Sequence, residues 1–355
     1  MKNKNYKSMS IWILILGVLF TFVVNCNKKD NDFTQSKFVV ITGGYYEEPG
    51  SENDIITAYS SDGVKWKQAA IPRSTLWLNM CYGKDKFVVL GHENKIAHSV
   101  DGIKWEVVTI PVRWESICYG NGKFAATSWG EKAGYSEDGI KWEITALPSN
   151  AKWESICYGN DKFVAIANRD MYATTSNKAA YSTDGINWKQ ATLPSSERWT
   201  SVSYGNGKFV AVADSSRKEG NDIAAYSTDG INWKQTTLPA KDRWMSVCYG
   251  KDKFVAITFD TVEVAYSTDG IKWDRTRLPD KATGPPVVYS TSGWNATSGK
   301  APKYNVCYGK GKFVTIACDT DKVAYSTDGI KWKMATLPRI ADWHKVFYGG
   351  AETGK

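Results

Sequence analysis

Seven aspartates stand in one pattern, Ser-x-Asp-Gly-x-x-Trp: Asp62, Asp101, Asp138, Asp184, Asp229, Asp269 and Asp328. A carboxylate can serve as acid, base, nucleophile or metal ligand. Here each has Ser two residues before it and Gly directly after it, and these are turn-forming neighbours. The carboxylate is therefore expected to accept backbone N–H bonds within a turn, with Gly at positive φ and Trp covering it. Loop carboxylates are the other candidates for acid–base work: Glu47, Glu48, Asp54, Glu93, Asp170, Asp214, Asp260 and Asp319. Glycoside hydrolysis needs two carboxyls at a set separation, and spacing along the chain pairs none of these. His92, His98 and His344 lack metal-ligand spacing. No phosphate loop or nucleophile elbow occurs. Neither a metal nor a cofactor is expected.

Thiols give no chemistry either. Cys81, Cys118, Cys157, Cys248 and Cys307 share one position, in the tripeptide Cys-Tyr-Gly. Equivalent positions of successive repeats are held apart, so these cysteines are expected to stay unpaired and to fill space as small buried side chains. Cys318 follows on the next strand, but a turn at Lys310-Gly311 would set Cys307 opposite Val314 instead.

These residues sit in an internal repeat. Separations between the seven aspartates are 39, 37, 46, 45, 40 and 59 residues, in the range of propeller blades. The unit is clearest over 199–239. There, strands are expected at 199–204, 209–213, 224–227 and 233–237, with the Leu-Pro pair ending the fourth because proline cannot donate to a ladder. Asn206-Gly207 and Asn121-Gly122, each between apolar runs, predict two-residue hairpin turns. The run 209–213 is apolar throughout, as in a strand covered on both faces. The first unit begins at Lys37 without a first strand of its own, and the C-terminus carries an orphan one, Trp343 to Gly349. The expected fold is all-β: a seven-bladed β-propeller of four-stranded antiparallel blades, its ring closed by the C-terminal strand completing the first blade. It would occupy 37–350, with an insertion at 280–303 and a tail at 351–355.

The boxes resemble the Asp-box (BNR) repeats of the sialidase-like propellers, shortened by one residue between Asp and Trp, over 37–349. The resemblance implies the propeller. A sialidase would add an Arg-Ile-Pro-type motif before the first box, an arginine triad, an acidic proton donor and a Tyr–Glu nucleophile pair. No Arg precedes Asp62, and Tyr45-Tyr46-Glu47-Glu48 is a loop without matching context. No catalytic residue is assigned.

In such a ring the Tyr-Gly hairpins and the Asp boxes share one face. Loops after the second strand and the Leu-Pro crossings share the other, and the loops at 42–56, 168–177 and 214–222 are long. Function is expected on that variable face. Trp114, Trp153, Trp199 and Trp244 open first strands there, and Arg113, Lys152, Arg198 and Arg243 precede them. With Trp294 of the insertion they form a candidate ligand rim, suited to sugars or acidic peptides. The alternative is that a Trp at a fixed repeat position fills the gap between blades.

The N-terminus reads as a targeting signal over 1–25. Lys2, Lys4 and Lys7 precede an apolar run from Ile11 to Val24, which is too short to span about 30 Å of hydrocarbon. Val23-Val24-Asn25-Cys26 resembles the lipobox of bacterial lipoproteins, with Asn25 where Gly, Ala or Ser is usual. Cys26 would carry the lipid, and 26–36 would be a polar tether. The formal net charge of +8 falls by three once the signal is removed, and the rest is dispersed, so nucleic acid is not an expected partner. The sequence thus describes an exported monomer, membrane-anchored by lipid at the outer membrane or cell surface, or else secreted or periplasmic. Three functions fit: a non-catalytic scaffold binding protein or glycan, a divergent carbohydrate-active enzyme, or an assembly factor for an envelope complex.

Overall fold

The computed structural model describes residues 36–42, 56–72, 74–215, 220–259, 261–279, 305–317, 320–341 and 343–350, all within a unit spanning Thr34–Lys355. The signal segment, Cys26, Cys318, Trp294 and the 280–303 insertion lie outside these residues, as do Glu47, Glu48, Asp54, Asp260 and Asp319.

Among the described residues every regular element is a β-strand, and every ladder is antiparallel. The first sheet joins β1 (Lys37–Thr42), β2 (Ile56–Ser60), β3 (Lys67–Ala70) and the last strand, β26 (Trp343–Gly349), in the order β26-β1-β2-β3. Phe38 pairs with Tyr348 and Val40 with Val346, so the orphan C-terminal strand completes the first sheet. A second sheet holds β4 (Trp77–Gly83), β5 (Lys86–Gly91), β6 (Lys95–Ser99) and β7 (Glu106–Thr109). Two more four-stranded sheets follow later in the chain. One holds β18 (Trp244–Gly250), β19 (Lys253–Thr258), β20 (Glu263–Ser267) and β21 (Asp274–Arg277). The other holds β22 (Val306–Gly309), β23 (Lys312–Ile316), β24 (Thr320–Ser326) and β25 (Trp332–Ala341).

Between them three repeats run together into one ten-stranded sheet. Its strands are β8 (Ser116–Gly120), β9 (Lys123–Thr127), β10 (Trp129–Ser136), β11 (Glu143–Gly159), β12 (Lys162–Asp170), β13 (Ser176–Ser182), β14 (Lys189–Gly205), β15 (Lys208–Asp214), β16 (Asn221–Ser227) and β17 (Lys234–Asp242). Seven repeats therefore give five sheets among the described residues. The cause is that the Leu-Pro pair does not end the fourth strand: β11 passes through Leu147-Pro148 and β14 through Leu193-Pro194. Proline is tolerated because the ladder steps around it. Lys132 pairs with Ala146 and Gly130 with Ala151, leaving Pro148 in a bulge where no N–H is needed.

Local turns follow the sequence. Asn206 and Gly207 adopt φ of 44° and 71°, the double positive φ of a two-residue hairpin. At each box the Asp carboxylate accepts the N–H groups of the second and third residues beyond it, at 2.8–2.9 Å. The Ser hydroxyl donates to the same carboxylate and accepts the Gly N–H, as Ser227 does for Asp229 and Gly230. Hairpin and box turns meet at one end of the strands, where Asn121 Nδ2 donates to Thr183 O and Asn160 Nδ2 to Thr228 O.

Apolar cores lie between consecutive repeats. Val39 and Ile41 pack with Trp77 and Phe87, and Val210 and Val212 with Trp244 and Phe254. Phe38 and Val40 pack with Val314 and Ile316, joining the first repeat to the last. First strands touch in succession, from β26 to β4, β8, β11, β14, β18 and β22, and β22 touches β26 again. Serines bridge several of these neighbours: Ser155 Oγ accepts Val202 N–H, and Ser201 Oγ accepts Val247 N–H, both at 3.1 Å.

Candidate functional site

The end of the strands away from the hairpins and boxes departs from the repeat. Gly130 at φ 109° and a register shift before Lys132 carry β10 past its repeat ladder. Trp129 then pairs with Lys152, and Lys152 with Arg169 on the following strand. Directly opposed residues on adjacent strands project to one side of a sheet, so these three form a row. Further pairs continue the belt through Ser176 with Glu197, Arg198 with Asp214 and Asn221 with Asp242.

Within the row, Trp129 is 45% exposed. Lys152 Nζ lies 4.0 Å from its ring centroid, and Arg113 Cζ lies 5.2 Å from it. Arg113 Nε also pairs with Glu115 Oε1 at 2.7 Å. Burial raises the Glu115 carboxyl above its ordinary value, against the pull of Arg113, and the charge of Glu154 pushes the same way as burial. Burial lowers Lys152, helped by the like charge of Arg169.

A second cluster lies further along the belt. The Asp214 side chain is 2% exposed; Arg243 reaches it with Nε at 3.2 Å, and Arg198 with Nη1 at 3.7 Å. Arg243 also stacks over Phe259, 4.1 Å from the centroid.

The four rim tryptophans are placed otherwise than a ligand rim requires. Trp114, Trp153, Trp199 and Trp244 have no exposed surface. They pack between repeats, where each indole buries on the order of 200 Å², so they hold the fold and stack on no ligand. Three of them also tie down the crossing that precedes them: Trp153 Nε1 donates to Ser149 O, Trp199 Nε1 to Ser195 O and Trp244 Nε1 to Ala240 O. The cations Arg113, Lys152, Arg198 and Arg243 remain partly exposed, but they are divided between the two clusters.

Other candidates resolve individually. Asp170 pairs with Lys178 at 3.2 Å and accepts Ser176 Oγ at 2.7 Å, and Glu93 pairs with Lys95 at 3.4 Å. His98 stands beside Glu106 at 3.7 Å, and burial lowers its pKa despite that carboxylate. The box aspartates are held below the ordinary carboxylate range. Burial alone would raise them, but their N–H and hydroxyl bonds outweigh it, most of all at Asp184 and Asp229, where Asn187 and Asn232 add an amide. A group that strongly favours the ionised form is a poor proton donor. Cys81, Cys118, Cys157, Cys248 and Cys307 are unpaired, with Cys307 opposite Val314. Surrounding protein pushes these thiols up. Among the described residues no cluster of metal-ligating side chains occurs.

Sequence reasoning missed Trp129, Arg169 and the neighbouring pair Glu115 and Glu154. Each occupies a departure from the repeat, and the two glutamates follow equivalent first-strand tryptophans; comparing repeats position by position is the signal that would have found them.

No protein-family model and no curated protein sequence matches the chain. Solved structures do. Virginiamycin B lyase from Staphylococcus aureus aligns at 12% identity and a TM-score of 0.59, over 77% of this chain and 91% of that one. AztD from Citrobacter koseri, in its apo form, aligns at 10% identity and 0.52, over 88% and 98%. YCF48 bound to D1 peptide aligns at 15% identity and 0.51, over 74% and 82%. These are β-propeller proteins, and at such identities the likeness carries the propeller fold alone.

Proposed function

We propose that this chain is an exported, envelope-anchored propeller of seven four-stranded blades in a closed ring, acting as a non-catalytic binding scaffold. Its ligand, protein or glycan, would meet the face opposite the Ser-x-Asp-Gly turns. The cyclic succession of first strands, with the first repeat packed on the last, supports closure. The observation that carries the functional reading is the belt from Trp129 to Asp242: the box aspartates are engaged in their turns, whereas this belt is irregular, charged and partly exposed. That YCF48 was solved bound to a peptide accords with recognition on such a fold. The test is a glycan array, a peptide array and a panel of fluorogenic glycosides, all probed with the full chain. Binding without turnover is the expected result; turnover would replace the scaffold reading with an enzymatic one.

One observation favours the second reading, a carbohydrate-active enzyme. Glu115, raised by burial, senses the charge of Glu154, and a raised carboxyl beside a second one is the arrangement glycosidases use. Loss of glycoside turnover in Glu115→Gln would support it. The anchor is tested separately: Cys26→Ser should move the protein from the detergent phase to the aqueous phase.

A further inference from the structure

The row Arg113–Trp129–Lys152–Arg169 is built unlike any other part of the repeat. Lys152 and Arg169 stand directly opposite each other on neighbouring strands, and like charges so placed oppose folding. Among the described residues no carboxylate forms an ion pair with either one. The indole of Trp129 holds two cations over its ring; Glu115 neutralises Arg113 at 2.7 Å, whereas the ring orients Lys152 without neutralising it. Beyond Arg169 the strand runs into Met171 and Tyr172, which are 36% and 101% exposed. Lys152, which feels the charges of Glu115 and Glu154 without an ion pair to either, and Arg169 thus stand beside exposed Trp, Met and Tyr on one stretch of the belt.

We propose that this row is the docking site for an acidic segment of a partner protein, its Asp or Glu carboxylates taken by Lys152 and Arg169 and its apolar side chains by Met171 and Tyr172. The inference rests on the scaffold reading above and names the partner class and the residues. Two observations favour a protein over a sugar. A sugar stacks on a free aromatic face, and the Trp129 ring is already met by the Lys152 ammonium and the Arg113 guanidinium, leaving Tyr172 alone open. Trp, Tyr, Met and Arg, which meet here, are the side chains enriched at protein interfaces. The anion would supply the ion-pair partner that Lys152 and Arg169 lack among the described residues.

Fluorescence anisotropy with the full chain and two labelled probes tests this. One is a twelve-residue peptide of alternating Glu and Leu, about twelve residues being enough to cross a few strands at ~4.8 Å spacing; the other is the same peptide with Gln for Glu. The Glu peptide should bind and the Gln peptide should bind at least about tenfold more weakly, a factor equal to about 1.4 kcal/mol. Lys152→Ala/Arg169→Ala should lose at least about tenfold on the same scale. The control Lys189→Ala/Lys234→Ala removes the same charge from exposed positions at the starts of β14 and β17 and should bind like wild type. Arg169→Glu, an exposed change, gives a second variant if the double one misfolds, and should abolish binding. Equal losses in site and control variants, or equal binding of both peptides, would overturn the site while leaving a binding scaffold in place. Binding of an oligogalacturonate in preference to the Glu peptide would overturn the protein partner. Turnover of glycosides would instead overturn the scaffold reading itself.

Discussion

A methyl group built on Gly349 would stand 2.4 Å from the ring of Tyr82, so the last strand of the chain lies against the first strand of the second repeat. The same contact joins Gly83 to Tyr119, Gly120 to Tyr158, Gly159 to Tyr204, Gly205 to Tyr249, Gly250 to Tyr308 and Gly309 to Tyr348. Each glycine makes room for the tyrosine of the next repeat, and the series returns to its start. If the proposed ring is closed, Gly349→Ala should destabilise as much as Gly205→Ala, by about 1–3 kcal/mol for an overpacked contact. Urea denaturation measures both, and a harmless Gly349→Ala would argue for an open chain of sheets.

The buried tryptophans differ in one bond. Trp244 donates to the carbonyl of Ala240, directly after Pro239. The crossing before Trp114 is two residues shorter, with Val112 directly after Pro111, and the Trp114 Nε1 finds no partner. Phenylalanine at either site removes the indole N–H and comparable apolar area. Trp244→Phe should therefore cost about 1 kcal/mol more than Trp114→Phe, the net worth of a hydrogen bond. Equal denaturation midpoints for the two would show that the bond adds nothing.

Acid stability should divide the seven box turns. Each box aspartate has a folded pKa below the unfolded value of about 3.9, so it stabilises the fold above that value and stops doing so as pH falls through its folded value. Asp184 and Asp229 lie lowest, because Asn187 and Asn232 donate a further bond. Their contribution is the last to be lost. Asn187→Ala/Asn232→Ala should lower stability at pH 7 and raise the pH midpoint of acid unfolding, followed by tryptophan fluorescence, with the difference from wild type vanishing once both aspartates are protonated in the folded and unfolded chain. A midpoint that does not move would mean that the amides hold nothing.

Much of this architecture was legible because the repeat writes it many times. Box turns, Tyr-Gly hairpins and the pairing of Trp343–Gly349 with Lys37–Thr42 each follow from turn residues and apolar runs whose chemistry is local. What was not legible depends on neighbours across strands. Pro148 reads as a strand end, yet β11 continues, since it falls in a bulge where the ladder needs no N–H. Trp114, Trp153, Trp199 and Trp244 read as rim or as packing, and their complete burial between repeats accords with packing. Trp129 meets Lys152 and Arg169 only through ladder register, which no spacing along the chain displays.

Arg198 and Arg243 look interchangeable in the sequence, each directly preceding a buried tryptophan, but they hold Asp214 unequally. Arg243 Nε is 3.2 Å from the carboxylate, and its guanidinium stacks on Phe259 at 4.1 Å, with the Arg243 side chain 24% exposed. Arg198 reaches Asp214 at 3.7 Å and is 35% exposed. Removing the close partner of a buried carboxylate costs up to about 3–5 kcal/mol, and here it would leave Asp214 to Arg198 alone; removing the more distant, more solvated one costs about 1 kcal/mol or less. Arg243→Ala should accordingly lower the urea midpoint sharply, and Arg198→Ala only slightly. Asp214→Asn should recover part of the loss when combined with Arg243→Ala, because the amide carries no charge to strand. A double-mutant cycle on the three variants measures that coupling, and additive losses would show that Arg243 acts by packing on Phe259 and not by neutralising Asp214.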